Sequence, residues 1–187
     1  MHGVTAAPTY RFSVEEYLKL GEVGIFDEDD RVELLNGAIV LMPPIGIRHM
    51  NAVRRLLNNF GRRFGNRCLV DAQNPLVIDI QSMPQPDLLL LRSDLDESRA
   101  PRPEDVLLLV EVADSSLLCD QTDKRDAYAH SGVVEYWLLD LTRNELHVFR
   151  DPVGGAYTST SVVRADECIA PLAFPEESVP LAGLLPP

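Results

Sequence analysis

The stretch that decides the fold is 106-VLLLVEVA-113, an apolar run interrupted by a single carboxylate, Glu111. An apolar run of this length between polar turns predicts a strand that is buried on both faces of a sheet. Alternation along the strand places Glu111 and Ala113 on one face and Val110 and Val112 on the other. A carboxylate in such a strand must be paired, protonated or bound to a metal ion. Glu111 is therefore the first candidate for a functional residue.

A second predicted strand, 86-PDLLLL-91, carries a carboxylate at its beginning, Asp87. If this strand lies next to 106–113, Asp87 and Glu111 share one site. Two carboxylates at that separation repel, and one keeps its proton unless a cation lies between them. We therefore treat the two as a pair.

A third carboxylate lies in a predicted hairpin. Two apolar runs, 31–35 and 38–42, are separated by Asn36-Gly37, the dipeptide most typical of a two-residue hairpin turn. Pairing across that turn places Glu33 opposite Val40, among apolar neighbours. Glu33 is thus a third acidic residue in a strand that has no structural need for a charge.

Composition limits the possible functions. The chain has 187 residues, 45% of them hydrophobic, and a formal net charge of -12. This length predicts one soluble domain, and the absence of a long apolar segment or signal-peptide pattern predicts a cytoplasmic protein without membrane contact. The charge repels nucleic acid at long range, so a nucleic-acid partner would need a local basic surface or bound cations. Three widely spaced cysteines argue against a disulfide framework or a zinc site.

The remaining pattern predicts an α/β fold, a mixed sheet with helices on its flanks. Residues 1–9 are expected to form a disordered lead-in, residues 10–170 a single domain, and residues 171–187 a loosely attached tail rich in proline and acid. The predicted helices cover residues 13–21, 49–64 and 120–131, and the further strands cover residues 68–72, 76–80, 135–140, 145–150 and 157–163.

The helix over 49–64 combines an apolar stripe with the chain's one basic region. The stripe consists of Met50, Val53, Leu57, Phe60 and Phe64, and His49 at the helix start points towards the interior. No acidic residue occurs from 48 to 67, a segment that holds Arg48, Arg54, Arg55, Arg62, Arg63 and Arg67. These arginines either form a solvated helix face or contact phosphate groups, and Arg48 and Arg55 are the candidates for phosphate contacts.

Carboxylates at the ends of buried strands, with a lysine nearby, suit metal-assisted hydrolysis of phosphodiesters. Mg²⁺ prefers carboxylate oxygens and keeps several waters. Asp87, Glu111 and the backbone carbonyl of Val112 would hold such an ion and leave positions open for a phosphate. A cationic amine would orient the attacking water or stabilise developing negative charge.

These residues resemble a known family. Pro86-Asp87 followed by Glu111-Val112-Ala113 is similar to the core of PD-(D/E)XK nucleases, except that Ala113 occupies the usual lysine position. A narrower resemblance, to the Uma-two family of restriction-endonuclease-like proteins, covers about residues 10–163. The segments that carry it are 33-ELLNG-37, 44-PIG-46 followed by His49, 73-QNP-75, 84-PQPD-87, 111-EVADSS-116, Asp120 with Lys124 and Tyr128, and 132–140.

The resemblance implies a restriction-endonuclease-like fold and a DNA-cleaving, Mg²⁺-dependent activity, with Mn²⁺ as a substitute. In that family the lysine has moved to the following helix, which makes Lys124 the catalytic amine. The implied catalytic residues are Glu33, Asp87, Glu111 and Lys124. The implied substrate contacts, or supports of the metal ligands, are His49 and Gln73, and Tyr128 lies four residues from Lys124 on the same helix face. Many members have Ser-Pro-Ser after the glutamate strand where this chain has 114-DSS-116, which leaves the role of Asp114 open.

Plainer interpretations stand beside these roles. Glu33 could face water at an edge, Asp87 could cap a turn, Lys124 could be solvated and His49 could cap its helix. The chain is therefore either a metal-dependent nuclease, with DNA preferred over RNA, or a non-catalytic binding or assembly module of the same fold. A glycosidase with two carboxylates is a weaker alternative because the aromatic content is 6%. A homodimer is expected, through an exposed sheet edge and the Tyr136-Trp137 stretch.

Overall fold

The centre of the molecule is a six-stranded mixed sheet with the strand order β3-β4-β5-β6-β7-β8. The structure is a computed structural model, and it describes residues 9–27, 29–114 and 120–186. The strands of this sheet are β3 (Leu69–Asp71), β4 (Leu88–Leu91), β5 (Val106–Ala113), β6 (Glu135–Asp140), β7 (Glu145–Val153) and β8 (Ala156–Arg164). Neighbours are antiparallel except for β5 and β6, which are parallel. The predicted α/β fold with a mixed sheet is confirmed.

Helices and two small sheets surround the central sheet. They are α1 (Val14–Glu22), β1 (Val32–Leu35), β2 (Ala38–Leu41), α2 (Ile47–Phe64), α3 (Arg125–Ser131), β9 (Cys168–Ile169) and β10 (Val179–Pro180). A π-helical turn, Asp120–Lys124, leads directly into α3. A parallel strand pair needs a crossover connection, and this helical segment lies in the crossover from β5 to β6.

Strand β5 is the predicted stretch 106–113, and it is buried on both faces. Leu109 and Ala113 pack in one apolar cluster, and Val110 and Val112 pack in the other. Its antiparallel partner β4 pairs Leu88 with Val110, which carries residue 87, one position before the strand, towards the end of β5. The sheet register therefore brings the two predicted carboxylates to one place.

The hairpin forms as the Asn-Gly turn predicts. Asn36 and Gly37 have φ angles of 51° and 72°, the left-handed values that a two-residue hairpin turn of this kind requires. Glu33 lies opposite Val40 in the β1–β2 register. The hairpin is attached to the rest of the domain by a hydrogen bond from the Met83 amide to the Leu34 carbonyl and by another from the Gly37 amide to the Gln81 carbonyl. This attachment holds the Glu33 strand beside the segment that precedes β4.

Helix α2 packs on one face of the sheet, and three of the five residues predicted for its buried stripe, Val53, Phe60 and Phe64, are buried. The buried residues are Ala52, Val53, Leu56, Phe60 and Phe64. Met50 and Leu57 are 42% and 40% exposed, so their prediction as core residues is wrong. Spacing alone did not distinguish two adjacent stripes, because the small Ala52 gives a weak apolar signal. Within the ranges described, no helix is long and apolar enough to cross a membrane.

The predicted strand over 76–80 is wrong. The amides of Leu76 and Ile78 donate to the carbonyls of Pro84 and Ser82 in one facing segment, whereas the Val77 amide donates to the Pro101 carbonyl. The facing segment, 82-SMPQP-86, contains two prolines that have no amide to donate, so Asp79 and Ser82 form an isolated bridge and no strand ladder develops. Leu76 and Ile78 are buried, so the apolar pattern reflects packing without strand pairing.

The tail from residue 171 is firmly attached, which corrects the expectation of a loose segment. Phe174, Leu181 and Leu184 are buried in the same apolar cluster as α2. The Leu172 amide donates to Glu135 Oε2 at 2.7 Å. Burial of this kind stabilises the tail even though its sequence shows no regular period.

Candidate active site

A cavity of about 390 Å³ opens between the β1–β2 hairpin, the start of α2 and the ends of β4 and β5. Glu33, Asp87, Glu111 and Lys124 all line it, and each of them is buried. These residues come from four separate elements along the chain. The structure therefore brings together the four residues for which the sequence predicts a catalytic role.

Asp87 is held by three donors. Its Oδ2 atom accepts a hydrogen bond from the Val112 amide at 2.9 Å and lies 2.9 Å from His49 Nε2. Its Oδ1 atom lies 3.4 Å from Gln73 Nε2. Gln73 has a φ of 56°, a left-handed conformation that is uncommon outside glycine, asparagine and aspartate. The carboxylate is thus oriented by α2, by the loop after β3 and by the backbone of β5.

Glu111 links Asp87 to the helical segment that follows β5. Its Oε2 atom accepts from the Asp87 amide at 3.3 Å. Its Oε1 atom accepts from Tyr128 Oη at 2.8 Å and lies 3.2 Å from Lys124 Nζ. The prediction that Lys124 and Tyr128 share one helix face is confirmed, because both reach the same carboxylate oxygen.

Lys124 lies between two carboxylates. Its Nζ atom is 3.1 Å from Glu33 Oε1 and 3.2 Å from Glu111 Oε1. Glu33 Oε2 accepts in turn from the Gln85 amide at 3.2 Å. Lys124 is the last residue of the π-helical turn, and turns of this kind recur at functional sites. The plain interpretations of Glu33 as an edge residue and of Lys124 as a solvated lysine are both wrong.

The site has an excess of negative charge. Three carboxyl groups meet one amine in a buried place, so the acidic groups outnumber the basic one. Uncompensated charges are costly in a protein interior, and a bound cation removes that cost. Burial, together with the charges of Glu111 and Glu33, raises the pKa of Tyr128 well above its usual value. The phenol therefore stays protonated and donates its hydrogen bond throughout the neutral range.

The oxygen ligands of the site suit a hard cation such as Mg²⁺, although the protein alone does not supply a complete coordination shell. Asp87 and Glu111 offer carboxylate oxygens. The N–H and C=O groups of one strand residue point to the same side, so the Val112 carbonyl faces the side on which its amide meets Asp87. In the part of the chain that the structure describes, no three His, Cys, Asp or Glu side chains form a ready metal cluster. Two carboxylates and a carbonyl would leave the remaining positions to water and phosphate.

Two predicted contacts lie outside the carboxylate cluster. Arg48 is at the rim, where it donates to Asp114 Oδ1 at 3.1 Å and to the Leu141 carbonyl at 2.6 Å. Arg55 lies apart from the cavity, beside Asn144 and Ala182, so the structure does not bring this predicted substrate contact to the site. A seven-residue spacing keeps the two arginines on one stripe of α2, but it places Arg55 about two turns, roughly 10 Å, further along the helix axis and away from the cavity.

The rest of the basic region is divided between solvent and the acidic tail. Arg63 lies 3.9 Å from Glu177, and Arg67 lies 2.6 Å from Glu176 and 2.9 Å from Glu177. These pairs neutralise the last turn of α2. They favour the interpretation of this end of the helix as a structural face.

Sequence reasoning missed two parts of the site. One is the amide of Gln85, which binds Glu33 and has no side-chain signal. The other is an apolar wall of the cavity, formed by residues 40–45. The sequence signal for this wall is 40-VLMPPI-45, a run of apolar residues that continues past the end of the predicted strand into two prolines.

Comparison with known proteins gives a family and a fold. The family model Uma2, described as "Putative restriction endonuclease", matches residues 14–182. A crystal structure of "a putative nuclease belonging to DUF820 from Anabaena variabilis ATCC 29413" superposes with a TM-score of 0.73 and 15% sequence identity, over 92% of this chain and 97% of that one. No curated protein matches the chain. At that identity the structural likeness concerns the fold alone.

Proposed function

Because the chain belongs to the Uma2 family of restriction-endonuclease-like proteins, we propose that it is a metal-dependent endonuclease that hydrolyses DNA phosphodiester bonds. The observation that carries the proposal is the meeting of Glu33, Asp87, Glu111 and Lys124 in one cavity. A fold with no catalytic role has no need of three buried carboxylates around one buried amine, since buried charges cost stability.

Asp87, Glu111 and the Val112 carbonyl would hold the metal ion, Mg²⁺ or its substitute Mn²⁺. A bound divalent ion supplies Lewis-acid polarisation of the phosphoryl oxygen and lowers the pKa of a coordinated water. The amide of Val112, His49 and Gln73 fix the Asp87 carboxylate in one orientation. Fixed orientation of this kind removes the cost of reorganising the site during the reaction.

Lys124 supplies the positive charge of the protein itself. Attack of water on phosphorus places additional negative charge on the phosphoryl oxygens, and the bond to the leaving oxygen then breaks. An ammonium group in a buried site stabilises that charge more than it would in water. Glu33 and Glu111 hold the amine at 3.1 and 3.2 Å and so set its position.

Tyr128 positions Glu111, and its removal tests this role. In Tyr128→Phe the Oε1 atom of Glu111 loses its 2.8 Å hydrogen bond. We expect cleavage to fall by about 10- to 100-fold, the usual effect of losing a group that orients a metal ligand. Tyr157→Phe is the matched control, because Tyr157 Oη donates to the Val133 carbonyl and contacts no carboxylate of the site. Initial rates of plasmid nicking with Mn²⁺ would measure both. Equal losses in the two variants would contradict a positioning role.

The proposed activity is tested by incubating the protein with supercoiled plasmid, single-stranded circular DNA and RNA, each with Mg²⁺, Mn²⁺ or EDTA. The description of the family supports DNA as the substrate. We expect metal-dependent cleavage of a circular DNA, which has no ends and therefore reports endonuclease activity. Cleavage of RNA alone would exclude the DNA preference, and no cleavage of any substrate would exclude the enzyme.

A non-catalytic nucleic-acid or assembly module is the second candidate. The net charge of -12 favours it, because a strongly acidic surface repels DNA. The two candidates differ in one readout. The module would bind a partner without any metal-dependent change to that partner.

A homodimer stays a prediction. Tyr136 and Trp137 are fully buried in the core, so they cannot contribute to a dimer interface as expected. The exposed edge strand β8 is the remaining candidate for such an interface. Sedimentation equilibrium of the full chain would measure the oligomeric state.

A further inference from the structure

The acidic groups of the site lie at the bottom of a recess. The side chains of Glu33, Glu111 and Asp87 are only 3%, 4% and 11% exposed. A phosphate that reaches them must therefore enter the cavity and cannot simply rest on the protein surface. The accessibility of the carboxylates thus restricts the shape of the substrate.

An undistorted double helix does not meet that restriction. A duplex must first kink or extrude a nucleotide before a phosphate reaches the bottom of a small cavity, and both deformations carry a free-energy cost. A volume of about 390 Å³ lies near the low end of ligand pockets and accommodates a single nucleotide-sized group. An unpaired strand can turn one nucleotide out of line and insert it.

The apolar wall faces the same cavity. Leu41 is 78% exposed and Ile45 is 43% exposed, and Met42, Pro43 and Pro44 complete the wall between them. A contiguous apolar wall beside a few polar groups is typical of a ligand-binding cavity. Leu, Ile, Met and Pro are among the apolar side chains that proteins insert between base steps to unstack them. No acidic residue interrupts the wall from 40 to 47.

The wall is held in place by the chain around it. The Met42 amide donates to the Arg31 carbonyl at 2.8 Å, and the Arg31 guanidinium donates to the Pro43 carbonyl. Two consecutive prolines fix their own φ angles. A rigid apolar surface can support a base at a low entropic cost of ordering.

We propose that the site takes an unpaired nucleotide of a nucleic-acid strand, with its phosphate at the carboxylates and Lys124 and its base against the wall formed by residues 40–45. This inference rests on the proposed nuclease function for the position of the phosphate. It identifies single-stranded or locally unpaired nucleic acid as the substrate class. Leu41, the most exposed residue of the wall, is its specificity determinant.

The test separates binding from cleavage. Binding is measured with Ca²⁺, which shares the oxygen-ligand preference of Mg²⁺, by fluorescence anisotropy of one labelled strand, either alone or in its duplex. A second strand carries 2-aminopurine, whose fluorescence rises when the base leaves the stack. Cleavage of the same substrates is measured in parallel with Mn²⁺. The variants are Leu41→Ser and a matched control, Leu172→Ser, which alters an exposed leucine outside the cavity.

We expect the single strand to bind at least about tenfold more tightly than the duplex, with a rise in 2-aminopurine fluorescence. Leu41→Ser should weaken that binding about tenfold, because one apolar contact with the base is lost, and Leu172→Ser should not. Equal or tighter binding of the duplex, or equal effects of the two variants, would overturn the inference. A change of oligomeric state in Leu41→Ser without a change in strand binding would assign the wall to a second copy, and would overturn it too.

The two proposals fail in different ways. Cleavage of the duplex without any preference for unpaired strands would leave the nuclease standing and remove the unpaired-nucleotide site. Preferential binding of the single strand that depends on Leu41, without cleavage under any metal condition, would remove the nuclease and support the binding site.

Discussion

Glu111→Gln is expected to reduce metal-dependent cleavage by at least about 10³-fold. Loss of a single electrostatic group in an active site costs about 10²- to 10³-fold in rate, and Glu111 has two tasks. It would hold the metal ion, and its Oε1 atom positions Lys124 at 3.2 Å. Glutamine keeps the shape and one carbonyl oxygen, so Tyr128 retains an acceptor.

The fold should survive this change, because Lys124 keeps its partner Glu33 at 3.1 Å. Initial rates of plasmid nicking, with circular dichroism as a check on folding, would measure the effect. Glu97→Gln makes the same chemical change at an exposed position in the loop 92–105 and should leave the rate unchanged. Residual nicking by Glu111→Gln at the wild-type rate would mean that the cleavage does not come from this site.

Lys124→Met is expected to lower the cleavage rate by about 10²- to 10³-fold, because the charge that stabilises the transition state is lost. The chain contains one other lysine, Lys19, on α1, which makes Lys19→Met a matched control. Lys19 pairs with Glu15 at the surface and should have no effect on the rate. The same nicking assay, with rates measured at saturating Mn²⁺, would compare the two.

Lys124→Met leaves Glu33 and Glu111 without the ammonium between them, and breaking a buried ion pair costs about 3–5 kcal/mol of stability. A double variant, Glu33→Gln/Lys124→Met, removes one carboxylate together with the amine and keeps the prediction testable if the single variant unfolds. Full activity of a folded variant that lacks Lys124 would contradict its catalytic role.

Local sequence signals predicted the parts of the fold that depend on local chemistry. Asn36-Gly37 set the hairpin register, Ser13 and Glu16 cap α1 reciprocally, and Gly132 ends α3 with a φ of 88°. In each case the responsible atoms lie within a few residues of one another. Such signals do not depend on the rest of the chain.

The failures concern features that only the tertiary structure decides. Leu76 and Ile78 are buried, yet their backbone forms no strand ladder, because the facing segment 82–86 contains two prolines. In the sequence, Glu135 is recognisable only as an acidic residue in a predicted strand. In the structure it accepts hydrogen bonds from Arg150, Trp137 and the Leu172 amide, and so it joins the tail to the sheet. Burial raises the pKa of this carboxyl, which the bonds to it oppose. The tail sequence alone contains none of that information.

The candidate site was predicted better than its surroundings. A charge in a buried strand is anomalous whatever the fold, so Glu111 and Asp87 could be identified from the sequence. The place of Lys124 came from the family resemblance, because a lysine on a helix has no distinctive pattern. Arg55 lies away from the cavity because a stripe of arginines identifies a helix face and not the distance of each residue along the helix from a cavity.

Titration of the protein with Mn²⁺ by isothermal calorimetry tests the central claim most directly, that the carboxylate cavity holds a divalent cation. The account predicts that one Mn²⁺ binds per chain and that Asp87→Asn weakens the binding by at least about 10- to 100-fold. Asp94→Asn, which alters an exposed aspartate in the loop 92–105, should bind as the wild type does. Wild-type affinity in Asp87→Asn, or no binding by the wild-type protein, would contradict the account.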